Sequence, residues 1–378
     1  MVRFSHTAVS RLAFSVPLSL MFFVGTAGGQ TTTLQVTAEQ VFKNLKVLQK
    51  TPADSLNQGM HLISGALGVE CEYCHVEMDF PSDNVAKKDI ARDMLRMTAD
   101  LNQRSFKGEQ VVTCYTCHQG HAVPVGTPVL PVHGYAPEKK PESGLPSVAE
   151  ILSKYVAALG GEQRMRKVTS RIITGQQDVP TGPGGVNALP AEITLYQMAP
   201  NLSVRVATAK GMTLMSGFDG KAAWTVDPRG RVSNAIALEQ RREAINADFY
   251  EPLNIAASYI DLKVAGMETV GQKNTYVLEG QFAPGAPVRL YFDVNSGLLL
   301  RRTTAVPTPA GNSPYQEDFD DYRDAGSGVK YPYAIHLNPA GPRTDLTTHS
   351  TIQIQRIQEN VTIEANRFNR PQSKERPR

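Results

Sequence analysis

Cysteine is scarce in this chain, and none of it is spare. Of 378 residues only four are cysteine, at positions 71, 74, 114 and 117. Two tight pairs leave nothing over for the disulfide framework of a small secreted scaffold. An excess of one charge sign is lacking too: Lys and Arg total 39 against 36 for Asp and Glu, a net +3. That balance excludes the strongly basic signature of a nucleic-acid-binding protein. There is one tryptophan, and aromatic residues make up only 7%. No phosphate-cradling glycine loop and no Ser/His/acid arrangement stands out. With 41% hydrophobic and 20% charged residues, wholesale disorder is excluded. The length suits two domains.

The only strongly apolar run lies near the start. Arg3 and Arg11 precede Leu12–Val24, and Gly25-Thr26-Ala27 follows. A basic end, an apolar core and small residues form a secretory signal peptide. As a helix the core would reach about 20 Å at 1.5 Å per residue, short of the roughly 30 Å hydrocarbon layer. Residues 1–29 are therefore expected to be removed. The mature chain is expected in the periplasm, without a transmembrane segment.

The cysteines themselves carry the chemistry. Cys71-Glu72-Tyr73-Cys74-His75 and Cys114-Tyr115-Thr116-Cys117-His118 both read C-x-x-C-H, the haem c attachment pattern. Two thiols three positions apart reach the two vinyl groups on one edge of a porphyrin. The histidine that follows is held below the iron as proximal ligand. Two rival readings exist: one four-cysteine zinc site, or two redox pairs. Neither gives a reason for a histidine after each pair, and the gap from Cys74 to Cys114 is long for a zinc ribbon. Two covalent haems c are expected.

Each iron needs a sixth ligand. Asn57–Leu67, ending at Gly68, reads as a helix with Met60 and His61; Val85–Asn102 reads as a longer one with Met94 and Met97. Adjacent helical residues point about 100° apart, so only one of Met60 and His61 faces a given iron. Met94 and Met97, three apart, share a face. Spacing alone leaves both choices open. His121 and His133 read as loop histidines rather than ligands.

The stretch from about Val36 to Pro124 resembles one two-haem half of the tetrahaem cytochrome subunit of photosynthetic reaction centres. The matching residues are Met60, Ser64, Leu67-Gly68 and the first motif, then Ala91-Arg92, Met94-Leu95, Met97-Thr98, Leu101-Asn102, Val112-Thr113, the second motif and Gly120. The resemblance implies methionine sixth ligands, and it puts them on Met60 and Met94. One haem of that family takes a distal histidine from the segment before its motif. Here Gln103–Thr113 contains no histidine. A thioether ligand stabilises ferrous iron relative to a second imidazole. Closed His/Met coordination therefore suits electron transfer rather than peroxide chemistry.

Six prolines between Pro124 and Pro146 read as an extended connection. Ser147 with Glu150 forms a capping box for a helix over Val148–Leu159. Beyond it, ten or more strand-like runs follow, with Leu238–Ala247 as one helical interruption and Asn295-Ser296-Gly297 as a hairpin turn. This half resembles the lipoprotein-carrier fold. The resemblance rests on Leu159-Gly160-Gly161, Gly217-Phe218-Asp219-Gly220 before Trp224, and Leu290-Tyr291-Phe292-Asp293 before Ser296-Gly297-Leu298. Asp320-Asp321-Tyr322-Arg323 before Gly328-Val329-Lys330-Tyr331-Pro332 completes it. It implies a curved sheet over helices and, on its open face, an apolar groove. Trp224 reads as core. The acids Glu317, Asp318, Asp320 and Asp321 read as a strand rim rather than a metal site, and His336 and His349 lack metal partners in the sequence.

The expected fold is multidomain. A mainly α, haem-wrapped cytochrome c domain over 30–123 precedes a proline-rich linker over 124–146. An α+β domain with a curved antiparallel sheet, a half-barrel, follows over 147–368, and 369–378 form a basic tail. The expected function is that of an electron carrier between periplasmic redox proteins, not an enzyme. Its second half would bind an apolar small molecule, a lipid or a partner protein. The alternatives are a dihaem peroxidase-type oxidoreductase and a lipid carrier or redox sensor.

Overall fold

The computed structural model describes residues 36–124, 126, 144–181, 187–235, 237–308, 310–339 and 350–372. The segment expected to be a signal peptide, most of the proline-rich connection, His133, His349 and the end of the expected basic tail lie outside these residues. Gln35–Arg378 form one compact unit.

The haem-motif segment is helical but sparse. It contains α1 (Ala38–Val41), α2 (Ala53–Leu67), α3 (Lys87–Ser105) and α4 (Cys114–His118). Helix α2 starts four residues earlier than the sequence pattern predicts, after Pro52, whose fixed φ suits a helix entry. It ends where expected: Gly68 adopts φ 64°, ψ 38°, and its N–H donates to Ser64 O. Only glycine takes that left-handed cap without penalty.

Beyond the connection come α5 (Val148–Ala158) and α6 (Glu162–Met165). The capping box at the start of α5 forms as expected. The Ser147 N–H donates to the Glu150 carboxylate at 2.7 Å, and the Glu150 N–H donates to Ser147 Oγ at 3.3 Å. Strands β1 (Ser170–Thr181), β2 (Asn187–Met198), β3 (Leu202–Ala209), β4 (Met212–Asp219), β5 (Ala223–Val226) and β6 (Val232–Asn234) lead to α7 (Ala237–Asn246) and α8 (Glu251–Ser258). Then come β7 (Ile260–Val270), β8 (Lys273–Ala283), β9 (Ala286–Asp293), β10 (Leu299–Thr308), β11 (Gly311–Asp324), β12 (Lys330–Pro339) and β13 (Ser350–Glu359), followed by a 3-10 turn at Ala365–Phe368. Helix α8 and strand β6 are not foreseen by the sequence pattern. Helix α8 carries Pro252 in its first turn, a residue tolerated there but read as a breaker when the boundary is unknown.

The thirteen strands among the described residues form one open antiparallel sheet, ordered β6-β5-β4-β3-β2-β1-β13-β12-β11-β10-β9-β8-β7. Strands consecutive in sequence pair with one another except β6 and β7, which lie at opposite edges, and the two runs join where β1 pairs with β13. Helices α5, α7 and α8 cover one face of the sheet. Ile151, Tyr155, Ile245 and Ile255 pack with Leu278, Val288, Leu290, Phe292 and Leu299 in the main core. The carrier-type motifs hold turns and close contacts. A β-carbon on Gly160 would lie 2.0 Å from Gly328 O, and Lys330 N–H donates to Leu159 O at 2.8 Å. Gly217 leaves room for the indole of Trp224, which is buried in the core as expected, beside Val204 and Phe368.

Helix α2 packs against β10 and β11. Where those strands meet, a β-carbon on Gly311 would lie 2.8 Å from Thr113 Cγ2 and 3.4 Å from Leu62 Cδ2. The tip of the β10–β11 hairpin thus abuts both α2 and the residue preceding the second motif.

Candidate haem-attachment site

Both motifs coil in the way their chemistry requires. Cys71–Tyr73 form a single 3-10 turn, and His75 N–H donates to Cys71 O at 3.0 Å. Cys114–His118 form α4, entered through Thr113, whose N–H donates to Thr116 Oγ1 at 3.0 Å. In such a turn the two thiols of a motif share a side, and the histidine follows one turn on.

The decisive geometry is at the imidazoles. His75 Nδ1 is 3.1 Å from Phe80 O, and His118 Nδ1 is 2.9 Å from His121 O. A carbonyl can only accept, so each Nδ1 carries the proton. Each Nε2 is left as a lone-pair donor, the tautomer a metal-bound histidine needs. His121 serves through its backbone carbonyl, and its side chain is exposed.

The cysteines are free thiols. Burial pushes the thiols of Cys71, Cys74 and Cys114 above their ordinary value, whereas a redox C-x-x-C pair needs a lowered one. Among the described residues no three His, Cys, Asp or Glu side chains could together hold a metal ion. The four cysteines, all described, do not form such a group.

Helix α2 serves both motifs. Ser55 and Gln58 line a small cavity with Arg242 and Phe282 on the sheet side. Met60 lies about 200° around from Gln58 and is half-buried. One turn on, the Ser64 hydroxyl is near enough to the Cys71 thiol to favour its thiolate slightly, so Met60 shares a face with a residue beside the first motif. His61 is exposed. At the end of α2, Gly120 N–H donates to Ala66 O at 2.9 Å. The two motifs are thereby held side by side.

Helix α3 is pinned at both ends. Near its start, Arg92 is buried and donates to Asp89 at 2.5 Å and to Asp83 at 2.8 Å. Asp83 also pairs with Lys46 at 2.7 Å, and these cations hold its carboxyl far below the usual carboxylate range. Towards its end, Asn102 is buried, donates to Val112 O at 2.7 Å and accepts from Val112 N–H at 2.9 Å. That pair fixes the approach to Cys114. Met94 stands about two turns before Asn102. It belongs to a stripe of exposed apolar residues, Ile90, Met94, Met97 and Leu101, at the spacing of one helix face. Neither methionine is inside the protein core: Met94 is 39% exposed and Met97 53%.

Sequence reasoning missed Asp83, Lys88 and the backbone carbonyl of Phe80. Lys88 donates to three carbonyls just after the first motif, and side-chain patterns carry no signal of that. Two of the acids on β11 are ion-paired. Glu317 pairs with Arg302 and Asp318 with Arg301, each at 2.5 Å.

The residues fit covalently held haem. Each motif offers two free thiols and an imidazole already oriented by its Nδ1 hydrogen bond. Helix α3 carries an uncovered apolar stripe. The photosynthetic reaction centre cytochrome C subunit family matches residues 24–256 of this chain. The chain belongs to that family.

Members of the family are similar over the motif-bearing part. The reaction center cytochrome c subunit of Roseobacter denitrificans is 34% identical over 97 residues, covering 23% of this chain and 26% of that protein. The corresponding subunit of Rubrivivax gelatinosus is 36% identical over 91 residues, 23% of this chain and 25% of that protein. Cytochrome c-554 of Chloroflexus aurantiacus is 44% identical over 62 residues, 15% of each chain. The chain spans about a quarter of the length of the reaction-centre subunits it matches. It is a c-type cytochrome. Among solved structures, a DUF1329 family protein from Desulfovibrio piger is similar with a TM-score of 0.41 and 12% identity, over 59% of this chain and 97% of that one. A LolA superfamily protein from Nitrosomonas europaea gives 0.40 and 12%, over 60% and 98%.

Proposed function

We propose that this chain is an exported dihaem cytochrome c that carries electrons between periplasmic redox proteins. Cys71 and Cys74 hold one haem c over His75; Cys114 and Cys117 hold the other over His118. Met60 and Met94 supply the sixth ligands. The observation that carries this reading is the repeated Nδ1 bond to a backbone carbonyl, to Phe80 O and to His121 O. Haem c, when bound, supplies a one-electron iron couple. The chain's own part is to orient two imidazoles, to close the opposite face with a thioether and to keep water from the ring. With a histidine and a methionine offered to each iron, a bound haem would supply electron transfer rather than peroxide reduction, so the reading is a carrier and not an enzyme.

In this reading residues 30–123 form the haem domain, and 147–368 form the sheet domain reached through the connection 124–146. The sheet domain supports α2 and docks partner proteins. The packing of α2 on β10 and β11 and the helix-filled face of the sheet favour that role over an open lipid groove.

Mass spectrometry of protein matured in a periplasm tests the reading. Two covalent haems per chain are expected, one on each cysteine pair. A single haem, or zinc in place of iron, overturns it.

A further inference from the structure

The two proximal histidines are held alike, but the carbonyls that hold them differ. Phe80 O accepts from His75 Nδ1 and also from Lys88 Nζ, at 2.8 Å. The same ammonium donates to Pro81 O at 3.1 Å and to Ser82 O at 2.7 Å. Its three donors meet three successive carbonyls, and its side chain is only 11% exposed. The nearest counter-charge, Asp83, is 3.4 Å away and is shared with Lys46 and Arg92. The second site has no such arrangement. Among the described residues, no lysine or arginine donates to the His121 carbonyl that receives the His118 proton.

A carbonyl oxygen polarised by a cation is a weaker acceptor towards a second donor. The His75 N–H bond is then less stretched towards Phe80, and the ring gives less electron density through Nε2. A weaker donor stabilises ferric iron less. The ammonium charge, screened little because it is buried, acts in the same direction.

We infer that Lys88 is a positioning residue that acts through the Phe80 carbonyl on His75 and raises the reduction potential of the first haem alone. This rests on the two-haem reading above. It makes the two sites unequal even though their ligand sets are the same.

The test is a potentiometric titration of the full-length, haem-loaded protein, followed in the visible and fitted to two midpoints. In Lys88→Met one midpoint falls and the other stays, while the far-red methionine-to-iron band persists. The falling midpoint is the one that Met60→His also lowers. Lys88→Arg, which keeps a cation, restores most of the shift. Asp83→Asn removes the counter-charge and moves the same midpoint upward. That sign separates a field effect from a loosened loop, because admitted water would lower the midpoint in both variants. An unmoved first midpoint in Lys88→Met overturns the inference, as does an equal fall of both. If Lys88→Met fails to retain haem, Asp83→Asn decides by its sign. Absence of haem on Cys71 and Cys74 in the unaltered protein would instead overturn the two-haem reading itself.

Discussion

Gly68 and Gly120 meet backbone to backbone: a β-carbon on Gly68 would lie 2.1 Å from the carbonyl oxygen of Gly120. Gly68 ends α2 just before the first motif, and Gly120 follows the second. Both glycines have positive φ, 64° and 85°. Gly120 N–H then reaches Ala66 O at 2.9 Å. Any side chain at residue 68 pushes the motifs apart, and the left-handed backbone adds its own cost.

Gly68→Ala is therefore expected to destabilise the protein by about 2 kcal/mol or more, from the left-handed conformation and the forced backbone shift. Guanidinium unfolding of the haem-loaded protein measures it. Unchanged stability would show that the two helix ends do not touch in this way.

The ligand assignment predicts a pair of matched effects. Met60→His and Met94→His should each remove about half of the far-red band and lower one midpoint, the direction in which imidazole for thioether acts. Met97 lies on the same face as Met94, one turn on, and is the more exposed of the two. If Met97→His has the effect and Met94→His does not, the ligand sits one turn further along α3. If the native protein lacks the band and His61→Ala removes one spectral component, the first haem is bis-histidine.

The Asp83 clamp has a defined pH signature. Its carboxyl is held well below the ordinary value of 3.8, first by Lys46 and then by Arg92. A carboxylate with a lowered folded pKa stabilises the protein fully above its unfolded pKa. That contribution is lost as pH falls through the folded value. The stability gap between the native protein and Asp83→Asn should thus be constant above about pH 5 and shrink on acidification below about pH 4. Unfolding curves at a series of pH values measure it. A gap that widens in acid contradicts the clamp.

How much was legible in the sequence depended on range. Local devices read correctly: the capping box at Ser147 and Glu150, the Gly68 cap, and the turn in which Ser296 Oγ donates to Asp293 at 2.6 Å. Each is set by residues within a few positions of one another. The family blocks quoted for the motif segment also acquire physical roles. Ser64 lies near Cys71, Arg92 binds Asp83, and Asn102 pins Val112. What could not be read was built on backbone atoms or long separations. The Lys88 cage uses three carbonyls, whose direction no side-chain pattern records. The β1–β13 seam joins strands more than a hundred residues apart, and helix α8 was hidden by Pro252 and its short apolar stripe.

In the sheet domain an apolar groove was one expectation. The face that would form it is covered. Tyr155 of α5 packs edge-on against Phe292 of β9, with ring centroids 5.1 Å apart, and Ile255 of α8 is fully buried. Near this face a cavity of about 190 Å³ is lined by Arg242, Glu243, Tyr259, Arg302, Tyr315 and Glu317. That is smaller than the roughly 300–1,000 Å³ of typical small-molecule sites, which are mostly apolar, and its walls carry ion-paired charges. A larger depression, about 610 Å³, lies beside the C-terminal segment, but Glu364, Asn366, Arg367 and Arg370 line much of it. Neither suits an acyl chain. The full-length protein should therefore yield a lipid-free organic extract and show no saturable binding of a fluorescent fatty acid. Co-purifying lipid, or saturable binding abolished by Ile255→Trp in a folded variant, would mean that the helices move off the sheet to admit a ligand. The sheet domain would then be a carrier, and docking would no longer account for it.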